Sequence, residues 1–377
     1  MQVLHFFKTY IPETAGGIEQ VIFQLCQGMA PLGIESQVLT LSPHPQPARI
    51  TLGSHEVIRT HRDLNLASTG FSLQAFRQFR QLAAEADLIH LHFPWPFMDL
   101  VHLLSRTNRP CVLSYHSDIV RQKRLLALYR PLMHHFLAHM DRIVVASPNY
   151  LESSSVLPHY QQKTEIIPFG LDPALYPPPA QERLDWWRQQ LGTEFFLSVG
   201  VLRYYKGLNF ALDALRDTDY PYVILGSGPE EAALKHQARQ LGLKNTRFLG
   251  RLDDEDKNCL LNLCLALIFP SHLRSEAFGI SLLEASLHGR PMISCEIGTG
   301  TSFVNQHGQT GLVIPPASPL ALQQAMTRLW HDRAEAQQFG QQARLRFEQQ
   351  FTAEKMCHKM AALYQRCLSM HSSSSRA

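Results

Sequence analysis

Two glutamates eight residues apart, Glu276 and Glu284, frame the densest chemical signal of the chain, Ser-Glu-Ala-Phe-Gly-Ile-Ser-Leu-Leu-Glu-Ala at 275–285. The pattern predicts Glu276 in the loop after an apolar strand and Glu284 about a turn into the helix that Gly279 opens. A helix start of this kind leaves the N–H groups of Phe278, Gly279 and Ile280 unpaired, with the positive end of the helix dipole behind them. A diphosphate fits there, and a carboxylate on either side can take sugar hydroxyls. The plainer alternative is a helix with an acidic first turn.

A second signal is Val-Gly-Val-Leu-Arg-Tyr-Tyr-Lys-Gly at 199–207. A strand ends at Gly200, and Arg203 and Lys206 occupy the turn before the next helix. Two cations beyond the carboxyl end of a strand can neutralise a leaving diphosphate, arginine as a fork and lysine as a point charge. A solvated basic loop is the competing reading. Gly226-Ser-Gly-Pro229 repeats the strand, glycine turn and helix arrangement, without the third glycine of a dinucleotide fingerprint.

Nearer the N-terminus, Gly16-Gly17 opens the first helix, where glycine lets a substrate approach the backbone or simply starts the helix. His116, in Ser-Tyr-His-Ser-Asp, follows a strand that ends at Ser114. Its imidazole could hydrogen-bond a sugar hydroxyl or assist proton transfer; a satisfied loop histidine is the alternative.

Other candidates fall away. Asp217-Thr-Asp219 precedes its strand, at the end facing away from the other signals. His90 and His92 alternate on one strand, and His135 and His139 share a helix face, but neither pair has a third ligand nearby in sequence, so no metal site is expected. No GxxxxGK[ST] phosphate loop occurs.

The elements that must position these residues follow from hydrophobic periodicity. In the N-terminal half, strands are predicted at Val3–Phe7, Ser36–Leu41, Asp87–His92, Cys111–Ser114, Arg142–Ala146 and Glu165–Pro168. Helices are predicted at Gly17–Leu32, Ser72–Ala84 and Lys123–Met140. A stretch with three consecutive prolines, Pro177 to Pro179, then marks a linker or hinge. The alternation restarts with strands at Phe195–Val199, Tyr222–Leu225, Thr246–Leu249, Ala266–Phe269, Met292–Ser294 and Gly311–Ile314. Between and after them fall helices at Pro229–Gly242, Gly279–His288, Pro319–Trp330, Arg333–Phe347 and Ala353–Leu368. The expectation is an α/β protein of two doubly wound, Rossmann-like domains, 1–172 and 173–350, with a final segment 351–377. Ligands of such sheets sit beyond the carboxyl ends of the strands, so two facing domains would form one cleft.

Composition agrees. The 377 residues, 45% hydrophobic and 18% charged, suffice for two cores and exclude global disorder. A net charge of +3 is too mild to indicate nucleic acid. Seven scattered cysteines, without a CxxC pair, read as reduced thiols. The opening MQVLHFF reads as a first strand rather than a secretory signal, and no apolar run reaches membrane-spanning length.

Together these features resemble the retaining family 4 glycosyltransferases, which have the two-Rossmann GT-B fold. The resemblance covers nearly the whole chain. It rests on Gly16-Gly17, the His116 loop, the Arg203/Lys206-Gly207 turn and the E-x7-E pair Glu276 and Glu284. It implies a nucleotide-sugar donor, with Glu276 on the sugar hydroxyls and Glu284 on the ribose. Phe278, Gly279 and Ile280 would hold the distal phosphate, Arg203 and Lys206 the leaving diphosphate, and His116 would lie over the anomeric side. The segment Phe248–Leu252, including Arg251 and Leu252, would line the base, and Gly16, Gly17, Gly200 and Gly226 belong to the same donor-binding set. The final helix is expected to cross back to the N-terminal domain, and no metal or other cofactor is expected. One departure stands out: the family places an arginine directly after the glycine, where this chain has Val201, and Arg203 would substitute for it.

The opening VLHFFKTYIPETAGGIEQVIFQL, with LRYYKG, is most similar to bacterial O-antigen transferases that use GDP-mannose or GDP-rhamnose. The implied acceptor is a polyprenyl-diphosphate-linked saccharide, and the implied location is the cytoplasm, at the inner face of the membrane. The stretch Ile119–Phe136 carries Arg121, Lys123, Arg124 and Arg130 beside Leu125, Leu126, Leu128, Leu132 and Met133. Such a basic amphipathic stretch can lie in an anionic bilayer surface or serve as an ordinary domain helix. Two rivals share the site residues: a nucleotide-sugar 2-epimerase of the same fold, and a non-catalytic nucleotide-sugar-binding protein.

Overall fold

The computed structural model describes residues 1–14, 16–66, 69–119, 123–192 and 194–374. The chain divides into two compact units, residues 1–170 with 353–377, and residues 171–352. The division falls at the head of the proline-containing stretch, and Pro177 to Pro179 lie inside the second unit.

The first unit begins with β1 (Gln2–Phe6), α1 (Gly17–Met29) and β2 (Glu35–Ser42). Strands β3 (Arg49–Leu52) and β4 (His55–His61), and a small hairpin of β5 (Leu64–Leu66) and β6 (Thr69–Phe71), come next. Then follow α2 (Leu73–Glu85), β7 (Leu88–Phe93), α3 (Pro96–Ser105), β8 (Cys111–Tyr115), α4 (Lys123–Ala138), β9 (Arg142–Val145), α5 (Pro148–Ser153) and β10 (Thr164–Ile166). The main sheet runs β10-β9-β8-β7-β1-β2-β4-β3, parallel throughout except for β3, which is antiparallel to β4. Sequence periodicity predicts no element between residues 42 and 71. His-Glu-Val-Ile-Arg-Thr-His in β4 interleaves charged and apolar residues, and tertiary pairing with β2 decides its state.

In the second unit, α6 (Gln181–Leu191) precedes β11 (Phe196–Val199), α7 (Leu208–Ala214), β12 (Tyr222–Leu225), α8 (Glu231–Gln240), β13 (Thr246–Gly250) and α9 (Asp254–Leu263). The second half holds β14 (Ala266–Phe269), α10 (Ile280–Leu287), β15 (Met292–Cys295), α11 (Gly300–Val304) and β16 (Gly311–Ile314), then α12 (Pro319–His331) and α13 (Arg333–Gln350). The six strands are all parallel, in the order β13-β12-β11-β14-β15-β16. Tyr-Val-Ile-Leu and Ala-Leu-Ile-Phe are buried at every residue, as strands covered by helices on both faces must be. Side chains cap three helices of this unit: Asp253 accepts from Asp256 N–H, Ser318 from Ala321 N–H and Asp332 from Glu335 N–H.

The last helix, α14 (Ala353–Ser374), belongs to the first unit. Its Met356, Cys357, Met360, Leu363, Tyr364 and Cys367 are buried. Cys357 Sγ donates toward the Gln24 carbonyl of α1 at 3.7 Å, and Tyr364 reaches the central strand β7.

Candidate functional sites in the two units

In the second unit the strand order reverses between β11 and β14, which are direct neighbours. A doubly wound sheet opens a crevice at such a point, because its crossover helices depart to opposite faces. The sequence-predicted segments converge there. Arg251-Leu252, Gly226, Gly200 and the Glu276 loop follow the carboxyl ends of β13, β12, β11 and β14, four strands adjacent in that order.

Backbone chemistry fixes this rim. Gly226 has φ +134°, and a Cβ there would stand 2.0 Å from the Gly200 carbonyl oxygen, so only glycine lets β11 and β12 finish side by side. After Gly200, Leu202 is buried between exposed Val201 and Arg203, and Arg203 itself is extended. The exposure of 201 and 203 about a buried 202 has the period of two that sets alternate residues on one face. A single 3-10 turn, Tyr204–Lys206, then folds Lys206 back over the Phe269 ring, its Nζ 4.7 Å from the centroid. There Lys206 Nζ lies 2.6 Å from Glu276 Oε2, with side chains only 16% and 12% exposed. Ser271 Oγ donates to the same carboxylate oxygen at 3.4 Å. Lys206 also lines a small pocket with Gly200, Val201, Leu202, Phe269 and Ser271; Arg203 does not reach its wall.

Gly279, at φ +94°, caps the start of α10, and Phe278 before it is buried. The Gly300 N–H donates to the Ala277 carbonyl at 2.8 Å, and Ser281 Oγ to the Val199 carbonyl at 3.0 Å, so α10 is pinned to the end of β11. Its first N–H groups, at Gly279 and Ile280, have no intrahelical acceptor and face outward from the helix start. Glu284, one turn in, is buried and engaged: Lys257 Nζ lies 2.9 Å from Oε1, and the Tyr176 hydroxyl donates to Oε1 at 3.3 Å. Lys257 also pairs with Asp254 at 2.9 Å. Burial would lower the Lys257 ammonium, but Glu284 and then Asp254 outweigh it and hold it above the ordinary lysine range. Neither Lys257 nor Tyr176 is legible as a site residue in the sequence. Lys257 sits in Asp-Asp-Glu-Asp-Lys-Asn, which reads as a solvated helix start, and Tyr176 sits in the proline-rich stretch.

In the first unit Gly16 caps α1 and Gly17 is its first residue. The absent side chain of Gly16 leaves room for Glu19, whose Oε2 a Cβ would approach to 2.6 Å. Glu19 in turn accepts from the Thr9 and Thr14 hydroxyls at 2.8 and 2.9 Å, bracing the loop over residues 9–14.

His116 follows β8, and its N–H continues the ladder to the Phe93 carbonyl at 3.0 Å. It is buried, and it is not alone. Its Nε2 lies 3.0 Å from His92 Nδ1, and His92 Nε2 lies 3.1 Å from His5 Nδ1. His90 joins the cluster, with Nδ1 2.6 Å from the Tyr364 hydroxyl of α14 and Nε2 2.8 Å from Ser114 Oγ. The third partner of His90 and His92 is not legible in the linear sequence because it lies on β1: parallel pairing sets His5 opposite His90. One ring nitrogen from each of His5, His90 and His92 falls within 4.8 Å of the others, a spacing compatible with a metal ion. Against that use, both nitrogens of His90 and both of His92 already have hydrogen-bond partners. Burial holds His5 and His116 down to about 3 and His90 and His92 well below the ordinary imidazole range, so all four are neutral at pH 7.

The basic stretch is only partly described: Arg121 lies outside the described residues, as do the side chains of Lys123 and Arg124. In the rest of α4, Met133 and Phe136 are buried, whereas Leu125 and Leu128 are 56% and 81% exposed.

Comparison with known proteins bears on what these sites do. Residues 15–175 match the family model for Glycosyltransferase Family 4, and residues 186–346 that for Glycosyl transferases group 1. The chain is 60% identical over 353 residues to the D-rhamnosyltransferase WbpZ of Pseudomonas aeruginosa, covering 94% of this chain and 93% of that one. It is 50% identical over 364 residues to the O-antigen chain mannosyltransferase C of Escherichia coli, covering 97% and 98%. Among solved structures, the sucrose-phosphate synthase of Thermosynechococcus elongatus has the same fold, with a TM-score of 0.81 over 98% of this chain and 99% of that one at 20% identity.

Proposed function

Since the chain belongs to the group 1 glycosyltransferases, with a family 4 N-terminal half and the GT-B fold, we propose that it transfers a D-mannosyl or D-rhamnosyl unit from a GDP-sugar to a lipid-diphosphate-linked saccharide, with retention at the anomeric carbon. The observation that carries the reading is the Lys206–Glu276 pair at the switch point between β11 and β14. A diphosphate entering there competes for the Lys206 ammonium, and the released Glu276 carboxylate becomes an acceptor for sugar hydroxyls. Arg203 and the N-terminus of α10 add positive potential for the leaving diphosphate. The choice of sugar and of O-antigen synthesis leans on the two relatives named above.

With retention and no separate nucleophile, the departing diphosphate accepts the proton of the attacking hydroxyl. The protein then contributes position and charge. Lys206, Arg203 and the helix start take the place of a metal, so saturating EDTA is expected to leave the rate unchanged. The test incubates the chain with GDP-mannose, GDP-D-rhamnose or a UDP-sugar, a polyprenyl-diphosphate disaccharide and EDTA, with the anomer assigned by NMR. An α-linked glycolipid from a GDP-sugar supports the reading. A free epimerised sugar nucleotide, or a donor-induced rise in Tm without turnover, would replace it with the epimerase or the binding protein.

Among the described residues no helix is long and apolar enough to cross a membrane. We place the enzyme in the cytoplasm, at the inner face of the membrane that holds its acceptor. Leu125 and Leu128, exposed on α4 beside the exposed Arg130, support contact through 119–136. Co-sedimentation with phosphatidylglycerol vesicles is expected and should weaken in Leu125→Ser/Leu128→Ser; equal recovery of both proteins would discard the contact.

A further inference from the structure

The three imidazoles His116, His92 and His5 form one continuous hydrogen-bonded row, Nε2 to Nδ1 at each junction, 3.0 and 3.1 Å long. The rings of His92 and His116 meet edge to edge, 17° from coplanar with centroids 5.3 Å apart, and those of His5 and His92 likewise, at 20° and 5.4 Å. Phe7 and Phe169 border the row at His116. Among the described residues the two end atoms, His116 Nδ1 and His5 Nε2, are buried and have no hydrogen-bond partner.

Proton counting constrains this row. Three neutral imidazoles carry three ring protons, and each of the two junctions uses one. A single proton is left for the two ends, so one end donates and the other is a bare nitrogen. The tautomers are locked in the same sense along the row: turning one ring over requires turning all three. A buried N–H without an acceptor is the rarer state in folded proteins. Neither end has an acceptor among the described residues, but His116 follows the carboxyl end of β8, the end at which doubly wound sheets bind ligands, whereas His5 lies inside β1.

We propose that His92 and His5 are positioning residues that hold His116 in the Nδ1–H tautomer, so that it presents a hydrogen-bond donor to a ligand oxygen at the carboxyl end of β8. The aligned junction dipoles reinforce that donor. The ligand class rests on the proposed function; the tautomer does not.

The experiment is 15N-edited NMR of the histidine-labelled full chain at pH 7.5, with the His116 signals identified by their loss in His116→Gln. The expected spectrum has Nδ1 protonated and Nε2 bare in His116, His92 and His5, with through-hydrogen-bond couplings at both junctions. In His92→Phe, His116 is expected to populate the Nε2–H form, while His5→Asn, whose amide can still donate to His92, keeps the Nδ1–H form. A bare His116 Nδ1 in the unsubstituted protein overturns the assignment without need of any variant. An unchanged His116 tautomer in folded His92→Phe overturns the coupling. Stoichiometric zinc in the purified chain, or zinc-induced shifts at His5, His90 and His92, replaces the row with a metal site. Should the row prove correct and His116→Ala still transfer sugar at full rate, only the ligand reading fails.

Discussion

Lys206→Ala is expected to lower kcat for sugar transfer about 10²–10³-fold while the protein remains folded. The size follows from where the charge sits. Lys206 is folded back over Phe269 at the end of β11, 2.6 Å from Glu276, and both side chains are mostly withdrawn from water. An ammonium in such a setting acts on developing diphosphate charge through a lower effective dielectric than bulk water. The substitution also leaves Glu276 without its counter-charge, so a loss of about 1–3 kcal/mol of folding stability is expected alongside. That is small against the several kcal/mol available to a domain of this size, and urea melts will separate the two effects. Arg203→Ala should cost only about tenfold, because Arg203 is exposed and a solvated charge contributes less. Full activity in a folded Lys206→Ala chain would sink the donor-site model. Equal losses in the two variants would instead make Arg203 a full replacement for the arginine absent at Val201.

The contrast between these two cations shows how far the sequence could be read. Alternating apolar runs located every strand of the second unit, because buried parallel strands leave little room for polar residues. The E-x7-E pair and the Arg203–Lys206 turn were visible as motifs for the same reason: each follows a strand whose end is marked by glycine or by a sudden loss of apolar residues. What a linear reading could not supply was strand order. The reversal between β11 and β14 is what brings Lys206 to Glu276 across 70 residues of chain. It is also why Lys257 and Tyr176 went unnoticed, since their partner Glu284 comes from another element in each case. His5 is a similar instance. Nothing in Val-Leu-His-Phe marks His5 as a member of a histidine cluster until β1 pairs with β7. In the same unit β4 escapes a periodicity reading because its charged residues pair with neighbours rather than follow an alternation.

The row of histidines leads to the second large effect, a collapse of stability in mild acid. His5, His90, His92 and His116 are all depressed by burial first; His5 is lowered further by His55, and His90 and His92 by the other imidazoles around them. The unfolded chain titrates these groups near pH 6.5, whereas the folded chain keeps them neutral down to about pH 3 at His5 and His116. As the pH falls through 6.5 the unfolded state therefore gains protons that the folded state refuses. Stability is complete above 6.5 and declines through the window down to the folded values. Between pH 7.5 and 5.5 each such imidazole costs about 1.4 kcal/mol, and the four together about 5.5 kcal/mol. His55 and His102, both held near 4 chiefly by burial, act in the same direction. A loss of this size consumes much of the stability of an ordinary domain. Urea denaturation at the two pH values, followed by fluorescence, should show the first unit losing its transition at pH 5.5. His90→Gln should recover about a quarter of the four-histidine difference while lowering the midpoint at pH 7.5, because Tyr364 and Ser114 lose a partner. Equal midpoints at both pH values would mean that the imidazoles take up protons in the folded state, and a row of neutral rings could not then exist.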